Sequence, residues 1–241
     1  MHFTQIFRAA KKTGIVPQDT QMNFLGFGTM NGKDGKPFKT RNGDLLRLEY
    51  LIKDVEDAVY NKIKENRDVA DDEARATAKV VGLAAIKYGD LSNQASKDYI
   101  FDIDRFTSFE GDTGPYVLYT IVRIKSILNK YEQTYGEQKQ SVADRMKDFV
   151  APEGASETDL CLLLTKFSEV IESAYAELAP HKICKFIYDV ANVFNSFYHD
   201  TKILSEEDET KRKSYIALIT LTKGILETCT DLLAIKVPDR M

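Results

Sequence analysis

Residues 108–124 read SFEGDTGPYVLYTIVRI and contain the start of a long helix. Asp112 or Thr113 can cap the first turn, and Pro115 is tolerated there because backbone N–H groups in the first turn of a helix have no partner within the helix. Downstream, apolar residues recur every three or four positions, as on a buried helix face: Val117, Ile121, Ile124, Leu128 and Tyr131. The pattern predicts a helix over 115–135 with one face in a hydrophobic core.

A second sector of this helix lies about a quarter-turn from the apolar stripe. It carries Tyr116, Tyr119, Thr120 and Arg123. Aromatic rings can stack on unpaired bases, and arginine can pair with phosphate. The sector is therefore either an RNA-binding face or a rim of tyrosines that pack against a neighbouring helix. The spacing alone leaves both interpretations open.

Helical periodicity continues almost without interruption after residue 45, with turn residues such as Pro152, Gly154 and Pro180 at the breaks. Before residue 45, an apolar stretch at 22–27 predicts a buried strand. A single strand needs a partner, so we expect further protein before Met1. The fold class is mainly α, a helix bundle preceded by a small α/β part, with predicted helices at 4–13, 72–88, 115–135, 141–149, 158–177, 182–198 and 207–233.

The helix predicted at 182–198 has a wide apolar stripe that includes Phe194, with Asn195 and Tyr198 at or beside its edge. His181 and His199 lie at its two ends. Neither histidine has a nucleophile or a second carboxylate at a useful spacing. We therefore expect no catalytic role for them.

Composition limits the function classes. The 241 residues carry a formal net charge of −4, which disfavours a general nucleic-acid binder and leaves a binder of one defined RNA. Cys161, Cys184 and Cys229 form no CxxC pair, so we expect free buried thiols in a reducing cytoplasm and no metal site. No apolar run approaches the roughly 20 residues of a membrane helix, and no leader is visible. These features predict a soluble cytoplasmic protein without a membrane partner.

Residues 26–43 read GFGTMNGKDGKPFKTRNG, in which glycines alternate with cations. Such a loop can wrap phosphate, because glycine lets backbone N–H groups approach and lysine neutralises charge. The glycine spacing matches neither the dinucleotide-binding nor the P-loop motif. A solvated hairpin loop is the alternative interpretation.

Over essentially its whole length, the chain resembles arginyl-tRNA synthetases. The loop at 26–43 is similar to the stretch that replaces the KMSKS signature of class I synthetases in that family. SFEGDTGPYVLYTIVRI is similar to the start of the family's anticodon-reading helix. PHKICKFIYDVANVFNSFYHD at 180–200 and the ending Pro238-Asp239-Arg240-Met241 resemble the family as well.

The resemblance implies a division into the end of a catalytic domain with its signature loop (1–45), a connecting helical segment (46–75) and a helical, DALR-type anticodon-binding domain (76–241). It implies that the loop contacts ATP phosphates in the complete enzyme, which uses ATP with Mg²⁺, through Lys36, Lys39, Thr40 and Arg41. It implies tRNA contacts by Tyr116, Tyr119, Thr120, Arg123, Phe194, Asn195, Tyr198, Arg240 and Met241.

The partners implied are the anticodon stem-loop of arginine tRNA and the amino-terminal catalytic half of the synthetase, with the chain itself a monomer. The sequence has no H-x-G-H motif, since its histidines are His2, His181 and His199. We therefore expect no adenylate formation and no cofactor for the chain alone. Three functions stay open: an anticodon-binding module, one piece of a split or longer ligase, and a non-catalytic helical interaction module derived from a synthetase.

Overall fold

Helices dominate the computed structural model, which describes residues 2–37, 47–66, 68–136 and 140–241. A 3-10 turn spans Met146–Asp148. Two short strands are β1 (Met30–Asn31) and β2 (Tyr99–Ile100). The helices are α1 (His2–Lys12), α2 (Leu48–Asn66), α3 (Asp71–Leu91), α4 (Ile103–Phe106), α5 (Gly114–Tyr135), α6 (Val142–Arg145), α7 (Ala155–Leu164), α8 (Phe167–Glu177), α9 (Pro180–Asp200) and α10 (Glu209–Leu232).

The hydrophobic core lies mainly between α3, α5, α9 and α10. The apolar stripe predicted for 115–135 faces this core, with Leu128 partly buried at its edge and the other members buried. Cys184 and Cys229 are buried as predicted, Cys161 is half-buried, and all three are free thiols. The mainly helical fold class is thus confirmed.

Tyr88 joins three helices in the core. Its hydroxyl group donates to Asp112 Oδ1 at 2.6 Å and lies 3.0 Å from the carbonyl oxygen of Cys184. Burial of the ring, together with the nearby Asp112 carboxylate, raises the pKa of Tyr88 far above its usual range. The hydroxyl therefore stays protonated and connects α3 to the start of α5 and to α9.

The start of α5 is fixed by its cap and by close packing. Thr113 is the cap rather than Asp112, since its Oγ1 accepts from the Tyr116 backbone N–H at 3.2 Å. The next residue, Gly114, lies against α3, where an added Cβ would come within 2.7 Å of the Ala84 carbonyl oxygen. These contacts determine which side chains of α5 face the core and which face outward.

The strand predicted at 22–27 was wrong. Phe24 and Leu25 are exposed, and Phe27 is 90% exposed. The strand pairing lies a few residues later, where β1 and β2 run parallel with Met30 opposite Tyr99. Within the described ranges no strand pairs with 22–27, so its apolar residues alone do not place it in a sheet.

Two predicted helices are interrupted. The segment 158–177 divides into α7 and α8 with a break at 165–166, and both helices pack against α9. The segment 141–149 divides into α6 and the 3-10 turn, and both pack against α10. Sequence periodicity does not report these tertiary contacts. None of the described helices has the length and apolar character needed to cross a membrane.

Gly114→Ala tests the close approach of α5 to α3. We expect the free energy of unfolding to fall by about 1–3 kcal/mol, because the new methyl group must displace backbone atoms. The matched control is Gly224→Ala within α10, where a Cβ would meet Val142 Cγ2 at an ordinary 3.5 Å. Helix propensity should make this control neutral or up to about 1 kcal/mol more stable. Urea denaturation followed by circular dichroism measures both; equal stability of the two variants would contradict the packing argument.

Candidate nucleic-acid interface

A polar network joins α5 to α9, with Asn195 at its centre. The Asn195 side-chain amide donates to the Tyr116 hydroxyl at 2.8 Å and accepts from an Arg123 guanidinium N–H at 2.5 Å. The Tyr116 hydroxyl in turn donates to Asn192 Oδ1 at 2.7 Å. Each bond crosses from one helix to the other, so the network fixes the positions of both Tyr116 and Arg123.

Arg123 lies between two tyrosine rings. Its guanidinium carbon is 4.7 Å from the Tyr119 ring centroid and 5.2 Å from that of Tyr198. Tyr198 is 38% exposed, and Tyr119 and Arg123 are half-buried. We call these three residues the aromatic–arginine row. The row reaches solvent, so it is available to a partner outside the bundle.

Thr120 and Phe194 do not belong to this exposed row, contrary to the prediction of direct RNA contact. Both side chains are completely buried. Thr120 Oγ1 donates to the Tyr116 carbonyl oxygen at 3.1 Å, and the Phe194 ring stacks beneath Tyr198 with centroids 6.2 Å apart. Their positions on α5 and α9 turn inward at the contact between the two helices. They support the exposed side chains and have no surface of their own.

The carboxyl terminus lies at the Tyr119 end of the row. Tyr119, Arg240 and Met241 line one cavity of about 310 Å³, together with side chains from α2 and α3. The tail is held there because Ile235 is buried and Lys87 Nζ donates to the Ala234 carbonyl oxygen. The structure thus brings together predicted residues that are more than a hundred positions apart in the sequence.

A groove on the other side of Tyr198 was missed by the sequence interpretation. It has a volume of about 530 Å³ and is bordered by α5, the end of α9 and the turn that follows. Lys130 lies seven residues after Arg123, two helical turns along the same face, and that spacing could have revealed it. No comparable sequence pattern pointed to Lys202, which lies in the turn at 201–205.

The predicted phosphate loop is described only in part. Lys39, Thr40 and Arg41 lie outside the described residues, whereas Lys36 is exposed in a turn closed by a bond from Gly32 N–H to the Lys36 carbonyl oxygen at 2.8 Å. Gly35 has a φ of 72° in this turn, a left-handed conformation that glycine adopts without strain. Lys36 lines neither cavity of the α5–α9 surface.

Lys33 ties this loop to α4 by charge. Lys33 Nζ lies 3.0 Å from carboxylate oxygens of both Asp102 and Asp104. Partial burial alone would raise the pKa of Asp102, but hydrogen bonds from Lys33 and from the amides of Arg105 and Asp104 outweigh it and lower that pKa. No group of three or more metal-binding side chains occurs in the part of the chain that the structure describes.

Models of two protein families match parts of this chain. Residues 117–241 match the family model described as the DALR anticodon binding domain, and residues 1–103 match that of the catalytic domain of class I (R) tRNA synthetases. The fold is therefore that of a class I tRNA synthetase. The arginine–tRNA ligase of Agathobacter rectalis is 62% identical over 248 aligned positions, and that of Alkaliphilus oremlandii is 53% identical over 241. The chain belongs to the arginyl-tRNA synthetase family.

Solved structures show the same likeness. The arginyl-tRNA synthetase of Plasmodium falciparum superimposes with a TM-score of 0.76 at 26% identity, covering all of this chain and 39% of that one. The Thermus thermophilus enzyme gives 0.75 at 26% identity, covering 90% of this chain and 35% of that one. The two ligases above are matched along the whole of this chain but only 41% and 40% of their own length. The chain thus spans about two-fifths of these curated relatives.

Asn195→Leu tests the polar network. We expect a loss of about 1–3 kcal/mol in unfolding free energy, because Tyr116 and Arg123 lose partners while half-buried. The control Ser196→Ala alters the neighbouring exposed hydroxyl and should change stability by less than about 0.5 kcal/mol. Chemical denaturation of the two variants beside the unmodified chain provides the measurement. A loss no larger than that of the control would show that the network contributes little.

Proposed function

We propose that this chain binds the anticodon arm of arginine tRNA as part of an arginine–tRNA ligase. The aromatic–arginine row carries the proposal, because it places tyrosine rings and a cation together on one exposed surface. Base stacking on aromatic rings and pairing of arginine with phosphate are the usual means of binding unpaired RNA. The match of residues 117–241 to the DALR anticodon binding domain supports the proposal.

Each side chain of this surface has a role in the proposal. Tyr119 and Tyr198 offer ring surface to unstacked bases, and Tyr116 extends that surface along α5. Asn195 holds Arg123 through one N–H group, and the guanidinium has further donors for phosphate or a base edge. At the far end, Arg240 and Met241 complete the cavity beside Tyr119.

Overall charge is consistent with a narrow specificity. The formal net charge is −4, so phosphate attraction over the whole surface does not drive binding. Affinity must instead come from this local surface and from its fit to a loop with splayed bases. A single defined RNA meets that condition better than a general polyanion does.

Replacing Tyr119 or Tyr198 by alanine tests the proposal. We expect each variant to bind the anticodon stem-loop of arginine tRNA about 5- to 150-fold more weakly, which corresponds to the roughly 1–3 kcal/mol of one stacked base. The control is Tyr175→Ala, since Tyr175 is 82% exposed on α8 and lies outside both cavities. Fluorescence anisotropy with a labelled stem-loop gives the dissociation constants.

Two outcomes of that titration would reject the proposal. One is that the unmodified chain does not distinguish the arginine stem-loop from that of another tRNA. The other is that Tyr175→Ala weakens binding as much as Tyr198→Ala does, which would leave the row without a specific role.

The signature loop supplies the second part of the proposal. In the complete ligase, Lys36, Lys39, Thr40 and Arg41 contact the phosphates of ATP, with Mg²⁺ as the accompanying ion. Lys36 is an exposed lysine in a tight glycine turn that the Lys33 ion pairs hold in place, which fits a loop that meets a phosphate ligand. ATP bound there would supply the adenylyl group that activates the arginine carboxylate, with pyrophosphate as the leaving group.

The same proposal assigns domains to this chain and a catalytic partner within the ligase. Residues 1–45 end the catalytic domain, 46–75 connect, and 76–241 bind the anticodon arm. Exposed apolar side chains at 22–27 fit burial against the amino-terminal catalytic half. We place the protein in the cytoplasm as a monomer, where its free thiols remain reduced. The named relatives are ligases, which favours this function over a non-catalytic interaction module.

The chain alone should not catalyse ATP–pyrophosphate exchange. The reason is that it contains no H-x-G-H motif to stabilise the reacting phosphates. Extended by the catalytic half of an arginine–tRNA ligase, the same chain should support exchange and charge arginine tRNA. A radioactive exchange assay with arginine and tRNA compares the two proteins. Exchange by the chain alone would contradict this division of labour.

A further inference from the structure

The groove beyond Tyr198 is unusually basic for an acidic protein. Arg123, Lys130 and Lys202 line it, with His199 beside Tyr198, and no aspartate or glutamate is among its lining residues. Lys130 and Lys202 are exposed, and neither forms an ion pair with another described residue. We call this feature the basic groove. A local excess of cations on a chain of net charge −4 indicates an anionic ligand.

The walls of the basic groove are fixed before any ligand arrives. Ile203, in the turn at 201–205, is buried in the core. The Tyr135 hydroxyl donates to the Leu204 carbonyl oxygen at 2.9 Å, which ties the same turn to the end of α5. Arg123 is held by Asn195 on the opposite wall. Binding therefore costs little ordering of the protein backbone.

The charges of the lining residues favour an anion, although the end of α9 opposes one. The carboxyl-terminal end of α9 contributes a partial negative charge of about half an elementary charge. Three full side-chain cations outweigh it. Asp200, the last residue of α9, is exposed and does not line the groove. Thr201 and Ser205 add hydroxyl donors suited to phosphate or ribose oxygens.

We propose that the basic groove binds the sugar–phosphate backbone of the RNA whose unpaired bases stack on the aromatic–arginine row. This inference rests on the proposed function and deepens it. Tyr198 and Arg123 belong to both features, so a strand leaving the row on the Tyr198 side passes directly into the groove. The cavity at Tyr119 differs, since Ile63, Val69 and Met241 give it apolar walls suited to a base. The RNA bases are thus recognised at the Tyr119 end of the row, and the RNA backbone is bound at the Tyr198 end.

The salt dependence of binding tests the basic groove. The double variant Lys130→Gln/Lys202→Gln should bind the arginine stem-loop more weakly, with the slope of log K against log salt concentration smaller by about 0.7–0.9 per lysine, because fewer counterions are released. Its matched control is Lys53→Gln/Lys166→Gln, which makes the same change in net charge at exposed lysines outside the groove. Circular dichroism confirms that both double variants fold.

A second stem-loop with an altered anticodon separates backbone contact from base reading. Loss of the two groove lysines should weaken binding of both RNAs by the same factor, whereas Tyr119→Ala should reduce the preference for the arginine anticodon. A salt slope equal to that of the control, or a loss confined to the arginine stem-loop, would overturn the inference. If the unmodified chain binds neither RNA, the proposed function itself fails and the groove proposal fails with it.

Discussion

The Tyr88 hydroxyl, buried between α3, α5 and α9, is the contact on which the candidate surface depends. It holds Asp112 at the start of α5 and faces the Cys184 carbonyl oxygen of α9. Gly114 then allows α5 to approach α3 so closely that a methyl group would meet backbone. Because α5 and α9 are anchored near their starts, the rotation of each helix is fixed along its length. That rotation decides which side chains reach solvent.

Surface chemistry follows from that rotation. On α5 it leaves Tyr119 and Arg123 half-buried at the surface, and on α9 it exposes Tyr198. Asn195 joins the two helices between them. Because the net charge is negative, attraction of an anionic ligand depends on where the cations lie and not on the total charge. Cations gather in the basic groove, whereas the cavity at the carboxyl terminus has more apolar walls. An RNA loop with splayed bases needs both kinds of surface side by side.

Several sequence predictions were confirmed for a common reason, namely that they rest on local physics. The apolar stripe of α5 and its cap depend on residues within a few turns of one another. The errors have a common reason too. The segment 22–27 is apolar but finds no strand partner in the described ranges, and the break at 165–166 reflects packing against α9. Thr120 shares a sector with Tyr116 and Tyr119 in sequence, yet it is buried because α9 covers that side of the turn.

The amino-acid sequence by itself determined the helical class, the start of α5 and the family resemblance, since periodicity, caps and motifs are properties of adjacent residues. Only the tertiary structure decided that Met241 meets Tyr119, that Phe194 is buried, and that Lys130 and Lys202 share one groove. These relations join residues far apart in the chain. They depend on the angle and rotation at which whole helices pack, which no local pattern records.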